Sequence, residues 1–451
     1  MIPLSVLAVA AWFYARPHRT QIVADLVDPA KLLRVTIGLG VALLLWVALI
    51  VGTYRGTRPR SIAFNRRLAG NVFTSLLCLV VAAPLALGGY YAMVQRDLVK
   101  TVFKPTESTT TPHVTKANPW GKRKRVNLLL LGGDGDTDRE GVRTDSVILA
   151  SIDVRTGKTI LFSLPRNLEN VPFPANSPLA RIYPNGFDGG GDPAEWFLNA
   201  IYRNVPALNP GVLGKTSNEG ADAVKLGVSG SLGIPVDYYM LINFKGFQRI
   251  VDAIGGITVN VDDRVPINGD DDAHIPPTGY IEPGPDQHLD GFHALWFARG
   301  RYGLNDYNRM QRQRCAINAI VAKADPLTLL RRYTALASAT KKILRTDIPQ
   351  KLLPAFVNLT TKMKAQPLRS VVFQYDDNFN PNDPDFDYVH ATVKAALKPT
   401  TPGSTPTKSA TGGTGTTQPP DTTKVGTATA AAADCTYQPS QEALNYLAAQ
   451  K

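Results

Sequence analysis

The chain has 451 residues, too many for one compact domain, and 44% of them are hydrophobic, which a membrane segment joined to a globular domain would explain. A formal net charge of +12 calls for anionic partners such as lipid headgroups, phosphates or an acidic wall polymer. Nucleic acid is set aside, because there is no long Lys/Arg run, zinc-finger spacing or stacking-aromatic signature. The three cysteines, Cys78, Cys315 and Cys435, show no CxxC or Cys/His grouping, so a structural zinc is excluded.

Residues 1–95 read as a membrane region. Val35–Val51 and Val72–Leu87 are apolar runs that, with their flanks, approach the roughly 20 residues a span needs. Met1–Ala15 is shorter and lacks a basic start, so it reads as a weak signal peptide or a marginal third span. Arg55, Arg58, Arg60, Arg66 and Arg67 lie between the two strong runs, which predicts a cytoplasmic loop and an extracytoplasmic chain after Arg96. Residues 96–125 are polar and read as a juxtamembrane linker.

A globular domain is expected over 126–398. It opens with three strand-length apolar runs, Val126–Leu131, Ser146–Ile152 and Thr159–Leu164. Their near-unbroken apolar character predicts a sheet buried on both faces. Helical patterns follow at Pro193–Asn204 and Gly220–Leu232, then a strand at Val236–Ile242, a helix at Phe244–Ile254 and a strand at Ile257–Val261. Leu289–Ala298, Tyr307–Ala324 and Leu327–Leu344 read as helices and Arg369–Phe373 as a last strand. Alternating strands and helices predict an α/β fold with an α/β/α layering. Residues 399–433 are rich in Thr, Pro, Gly and Ala, and predict a disordered tether. A short helical island occupies 434–451. If the domain lies outside the membrane, Cys315 and Cys435 share an oxidising compartment; a disulfide between them could pin this island to the domain, or both could remain free thiols.

Candidate chemistry gathers where strands end. Asp134 follows the first run and Asp145 precedes the second, and neighbouring strand ends lie about 5 Å apart, so both carboxylates could reach one ion. Few, hard oxygen ligands suit Mg²⁺ shared with a substrate phosphate. The ordinary alternative is a solvated acidic loop, the usual fate of closely spaced aspartates. Arg166 follows Pro165 at the end of the third run. Arg299 and Arg301 follow an apolar helix and share one face if the segment is extended. Arg309 and Gln313 stand one helical turn apart on a stripe that becomes apolar further along, and must therefore face something polar. Guanidinium groups grip phosphate at two points. Surface ion pairing is the alternative. It suits Arg312 and Arg314 well, and Arg299, Arg301 and Arg309 less well, since few carboxylates lie near them in sequence. No GxSxG, Cys/His pair or P-loop lysine is present, so nucleophilic acyl chemistry is unsupported.

Taken in order, LLLLGGD (Leu128–Asp134), RTD (Arg143–Asp145), SLPRN (Ser163–Asn167), LNAIY (Leu198–Tyr202), Ile242–Val261 and Leu289–Cys315 resemble the LytR–CpsA–Psr family of cell-wall glycopolymer ligases, actinobacterial type. The resemblance covers about 126–324. It implies a three-layer α/β/α domain outside the membrane, with an apolar tunnel for a polyprenyl chain and a polar mouth for its pyrophosphate. It implies transfer of a glycopolymer from the polyprenyl-pyrophosphate carrier to a peptidoglycan acceptor, with release of polyprenyl phosphate. On this resemblance Asp134 and Asp145 hold Mg²⁺, Arg143, Arg166, Arg299, Arg301, Arg309 and Gln313 bind the pyrophosphate, and Asn199 lines the mouth. Two departures stand out: Asn167 where the family has Asp, and GGGDPAEWF where related members carry a cysteine pair. A polyprenyl-pyrophosphate hydrolase and a non-catalytic wall-binding or regulatory protein are the competing readings.

Overall fold

The computed structural model describes residue 25 and residues 27–57, 64–103, 107–133, 143–269, 274–304, 306–323, 344–398, 429–430 and 435–450. Two long helices come first, α1 (Pro29–Thr57) and α2 (Phe64–Val102), both long and apolar enough to cross a membrane, with mean hydropathies of 2.5 and 2.1 over their most apolar windows. They pack as a hairpin in which the Tyr54 hydroxyl donates to Asn71 Oδ1 at 2.8 Å. The expected third span, Met1–Ala15, lies outside the described residues.

The globular part is built on a seven-stranded sheet in the order β11-β10-β3-β2-β1-β4-β9. Its strands are β1 (Arg125–Gly133), β2 (Thr144–Asp153), β3 (Thr159–Leu164), β4 (Tyr238–Asn243), β9 (Leu344–Thr346), β10 (Arg369–Val372) and β11 (Thr429–Ala430). The first three pair antiparallel, whereas β1 pairs β4 and β3 pairs β10 in parallel. The sheet is therefore mixed. Alternate residues of β2 feed opposite cores, as a pleated strand requires. Val147 and Leu149 pack with Phe162, Val224 and Val389 on one face, and Ile148, Ala150 and Ile152 pack with Leu161 and Leu359 on the other. Burial on both faces is why these strands read as apolar runs without alternation.

Between β3 and β4 the chain forms α3 (Pro178–Ile182), two 3-10 turns (Pro193–Glu195 and Leu198–Ala200), α4 (Ile201–Leu208) and α5 (Glu219–Leu232). The continuous helix expected over 193–204 is thus broken into turns before α4. A second core follows. Helix α6 (Phe244–Ile254) is capped by the Asn243 side chain, which accepts from Gly246 N, and stopped by left-handed Gly255 (φ 84°). Next come β5 (Ile257–Val261), β6 (Val265–Ile267), β7 (Gly279–Ile281), β8 (Gly284–Leu289), α7 (Gly291–Arg299) and α8 (Asp306–Lys323). Val251, Ile254, Ile257, Val259, Phe297 and Ala316 form that core. The helix expected over 327–344 lies almost wholly outside the described residues, and its final residue opens β9. Helices α9 (Leu353–Lys364) and α10 (Phe386–Leu397) follow along the chain.

Two further stretches contact the domain within the described residues. Thr429 and Ala430, from the stretch read as a tether, pair with Ser370 and Arg369 of β10. The linker is fastened to the domain by a buried polar network. Ser108 and Thr110 hydroxyls donate to Asp222 Oδ1 at 2.7 and 2.6 Å, and Thr111 donates to Asp347 Oδ2 at 2.6 Å. Lys225, only 1% exposed, bonds Asp347 Oδ2 at 2.5 Å and Asp237 O at 3.1 Å. Asp347 Oδ1 accepts from Tyr239 N at 2.7 Å, and Asp237 receives Arg123 Nε and Asn127 N, both at 2.8 Å. The hydroxyls of Ser108, Thr110 and Thr111 therefore serve buried carboxylates, while Glu107 and Thr109 face solvent.

The C-terminal island is held covalently. Cys315 of α8 and Cys435 are joined by a disulfide. Asn260 Nδ2 donates to Cys435 O at 2.9 Å, Gln438 N to Asp262 Oδ1 at 2.8 Å, and the Arg264 guanidinium lies between the Tyr280 and Tyr446 rings, 4.0 and 4.2 Å from their centroids. Helix α11 (Gln441–Ala449) closes the chain.

Candidate functional site at the sheet edge

Because β1, β3, β4 and β10 run the same way, their C-terminal ends meet the start of β2 at one edge. Such an edge is where α/β sheets hold ligands. The pair Gly133–Thr144 closes the β1–β2 ladder there, next to Asp145. Asp134 lies outside the described residues.

Charged groups alternate along this edge. Arg166 Nη1 is 3.2 Å from Asp145 Oδ1, Arg166 Nε is 3.6 Å from Asp306 Oδ1, and Arg309 Nη2 donates to Asp306 Oδ2 at 2.9 Å. Asn199 Nδ2 adds a bond to Asp145 Oδ1 at 3.1 Å. Local structure explains each placement. Pro165 carries no N–H to extend the ladder beyond β3, which frees Arg166 to turn outwards. The Leu198–Ala200 turn docks on that same bend through Asn199 N to Arg166 O (3.0 Å) and Leu198 N to Leu168 O (2.9 Å). Asp306 opens α8, where a carboxylate complements the helix dipole, and Arg309 stands one turn on.

Burial disfavours ionisation of Asp145, but Arg166, Arg309 and the bonds from Asn199 and Arg166 outweigh it and hold the carboxyl below its usual range. Arg309 is only 3% exposed; burial and the neighbouring Arg166 lower its pKa against the pull of Asp306. Among the described residues, several buried atoms here have no hydrogen-bond partner: Asn199 Oδ1, Asp306 Oδ1, Arg309 Nε, Thr144 Oγ1 and Ser163 Oγ.

Arg299 lies by the end of β4. Arg299 stacks on Phe244, which directly follows β4, at 4.3 Å from the ring centroid, and on Trp296 at 5.0 Å. Gly300 is extended (φ −53°, ψ 126°), and a Cβ there would meet Pro266 O at 2.3 Å, so only glycine fits between the two arginines. Arg301 then begins a turn closed by Leu304 N to Arg301 O at 2.7 Å. Arg143 Nη2 pairs with Glu195 Oε1 at 2.6 Å.

Three sequence expectations need correction. Arg312 and Arg314 are not surface ion-pair residues. Arg314 is 6% exposed, and Arg312 donates through Nε to Phe297 O at 2.7 Å and through Nη2 to Gly300 O. Burial and Arg309 push the Arg312 pKa down to about 10. Gln313 donates to Ala298 O at 3.2 Å, so its amide serves the end of α7 rather than the charged cluster. Arg309 does have a carboxylate nearby in sequence, Asp306, three residues earlier. Asp306, Glu195 and Arg312 were not picked out as site residues; only Asp306 carried a sequence signal, its i, i+3 spacing from Arg309 at a helix start.

A cavity of about 920 Å³ lies at the opposite edge, lined by Phe173, Leu213, Lys225, Ile234, Val236 and Phe386 among others. None of Asp145, Arg166, Arg299 or Arg301 lines it. It is therefore not the apolar tunnel that the resemblance implies beside the arginines.

A TagU polyisoprenyl-teichoic acid–peptidoglycan teichoic acid transferase from Enterococcus faecalis is 27% identical over 313 residues, 68% of this chain and 89% of that protein. Biofilm regulatory protein A of Streptococcus mutans is 31% identical over 233 residues, and this chain spans only 50% of its length. Among solved structures, Bacillus subtilis TagV matches at 22% identity and a TM-score of 0.42, covering 61% of this chain and 97% of TagV. A TagT chain, described as bound to LIIa-WTA, matches at 19% identity and 0.43, covering 65% and 96%. The LytR_cpsA_psr family model matches residues 92–398, which takes in every strand of the main sheet but β11, the charged edge and α7–α8, and the chain belongs to that family.

Proposed function

We propose that this protein is a membrane-anchored phosphotransferase. It moves a glycopolymer from a polyprenyl-pyrophosphate carrier onto peptidoglycan and releases polyprenyl phosphate. In this reading α1 and α2 are spans, the α/β/α domain lies outside the membrane, and the sheet edge is the reaction site. One observation carries it: Asp145, Arg166, Asp306 and Arg309 form a chain of alternating charge beside buried polar atoms that have no hydrogen-bond partner among the described residues. Buried polar groups are normally satisfied, so a cluster of loose ends beside charges is where a polar ligand fits. The names of relatives such as TagU support a polyisoprenyl-linked polymer as donor.

Transfer needs charge neutralised on the non-bridging and leaving oxygens of a diphosphate. Arg166 and Arg309 supply guanidinium groups pre-set by their carboxylates. Arg299, pinned by Phe244 and Trp296, and Arg301 extend the grip along the edge. The residues fit a hard cation: Asp145 stays ionised, and the buried Asn199 Oδ1 beside it is an oxygen without a partner. Asp145, with Asp134, would hold Mg²⁺, which when bound neutralises diphosphate charge. Asp145, already bonded to Arg166 and Asn199, is better placed to orient than to accept a proton. That favours Asp134 as the base for the incoming hydroxyl.

The test is release of polyprenyl phosphate by the full chain in detergent, with and without a peptidoglycan acceptor. Acceptor-dependent release that is lost in Arg166→Ala is expected. Equal release without acceptor assigns a hydrolase, and wall attachment that survives Arg166→Ala and Asp145→Ala assigns a binding protein.

A further inference from the structure

We infer that Glu195 is a positioning residue for Arg143, holding its guanidinium against the sheet edge where the diphosphate lies. The inference rests on the reading of that edge as a diphosphate site. Glu195 ends the 3-10 turn Pro193–Glu195, which is capped by Asp192 accepting from Ala194 N at 2.9 Å. Its carboxylate is forked. Oε1 takes Arg143 Nη2 at 2.6 Å, while Oε2 takes Arg203 Nη2 and, at 2.9 Å, Asn204 Nδ2. Asn204 Nδ2 also donates to Glu195 O at 2.6 Å, and Arg203 Nε to Asn204 Oδ1 at 2.8 Å.

These contacts join two parts of the site. Arg203 and Asn204 belong to α4, which grows directly out of the turn carrying Asn199. Asn199 in turn donates to Asp145, two residues after Arg143. One carboxylate therefore ties Arg143 to the element that holds Asp145. Asn204 and Arg203 keep that carboxyl below its usual range, so it stays charged at neutral pH. An unrestrained arginine surrenders rotamer freedom when it closes on a ligand, and a carboxylate on one edge of its planar fork removes part of that loss in advance. The bland alternative is that Glu195 only neutralises Arg203 and anchors the start of α4.

A double-mutant cycle on the full chain in detergent separates the two, using a short polyprenyl-pyrophosphate-linked donor and a peptidoglycan acceptor. Glu195→Gln should raise KM for the donor about tenfold with kcat nearly unchanged, a coupling of about 1.4 kcal/mol that disappears in the Arg143→Ala background. Glu195→Asp should recover part of the loss. The inference is overturned if Glu195→Gln has wild-type kinetics, if its effect persists undiminished without Arg143, or if Arg143→Ala leaves KM unchanged. Arg166→Ala run alongside tells the two failures apart. If it is inactive while Glu195→Gln is normal, only the positioning role falls; if it too is fully active, the site reading falls.

Discussion

Two charged clusters in this domain use the same residue types to opposite ends. Around Lys225, three carboxylates, a guanidinium and several hydroxyls account for one another in the interior. Around Arg166 the charges also alternate, yet among the described residues Asn199 Oδ1 and Arg309 Nε are left buried without a hydrogen-bond partner. The first cluster is complete as the chain folds and fastens the linker to the sheet. In the proposed reading the second is completed by the diphosphate. Saturation, rather than charge or burial, distinguishes a fastening from a site.

The comparison can be broken most directly at Lys225. Lys225→Met should leave Asp347 and its neighbours uncompensated and cost about 3–5 kcal/mol of stability. Urea unfolding should show the loss, with specific activity per folded molecule unchanged. Arg166→Ala should behave in reverse, lowering transfer by about 10²–10³-fold while the unfolding midpoint stays near wild type, as measured by polyprenyl phosphate release. If the two variants exchange these phenotypes, the distinction fails. Replacing Cys315 and Cys435 together by Ser should lower stability by about 2 kcal/mol in non-reducing unfolding experiments. It should also weaken donor binding, since α8 carries both Cys315 and Arg309. The smallest effect is on acid stability. Asp145 has a depressed carboxyl pKa, so its contribution is present above the unfolded value of about 4 and is lost as pH falls through the folded one. Asp237 is shifted upwards by burial and gains protons on folding, so acidification towards pH 4 should not destabilise the Lys225 cluster through that group. Asp145→Asn should flatten the loss of stability below about pH 4, and Asp237→Asn should not.

Much of the frame was legible before the structure. β3, α6 and β5 match their expected bounds residue for residue, because α6 shows helical apolar spacing between an Asn cap and Gly255–Gly256 and the strands are unbroken runs. Strand direction was not legible, since a run buried on both faces looks the same in a parallel or a mixed sheet. Arg166 could be picked out because a proline and an apolar strand precede it. Glu195 could not: its partner Arg143 lies 52 positions away and the intervening fold decides their meeting. Arg312 and Gln313 show the limit from the other side. Gln313 stands on a stripe that calls for a polar partner and Arg312 reads as a surface ion-pair residue, yet both serve the backbone end of α7, which no side-chain pattern reveals.

The Cys315–Cys435 bond turns the chain between these positions, a separation of 120 residues, into a covalent ring. A protease that nicks the Thr- and Pro-rich stretch between Lys398 and Thr429 would not shed the terminal helix. Gel electrophoresis would show one band until a reductant is added, and two afterwards.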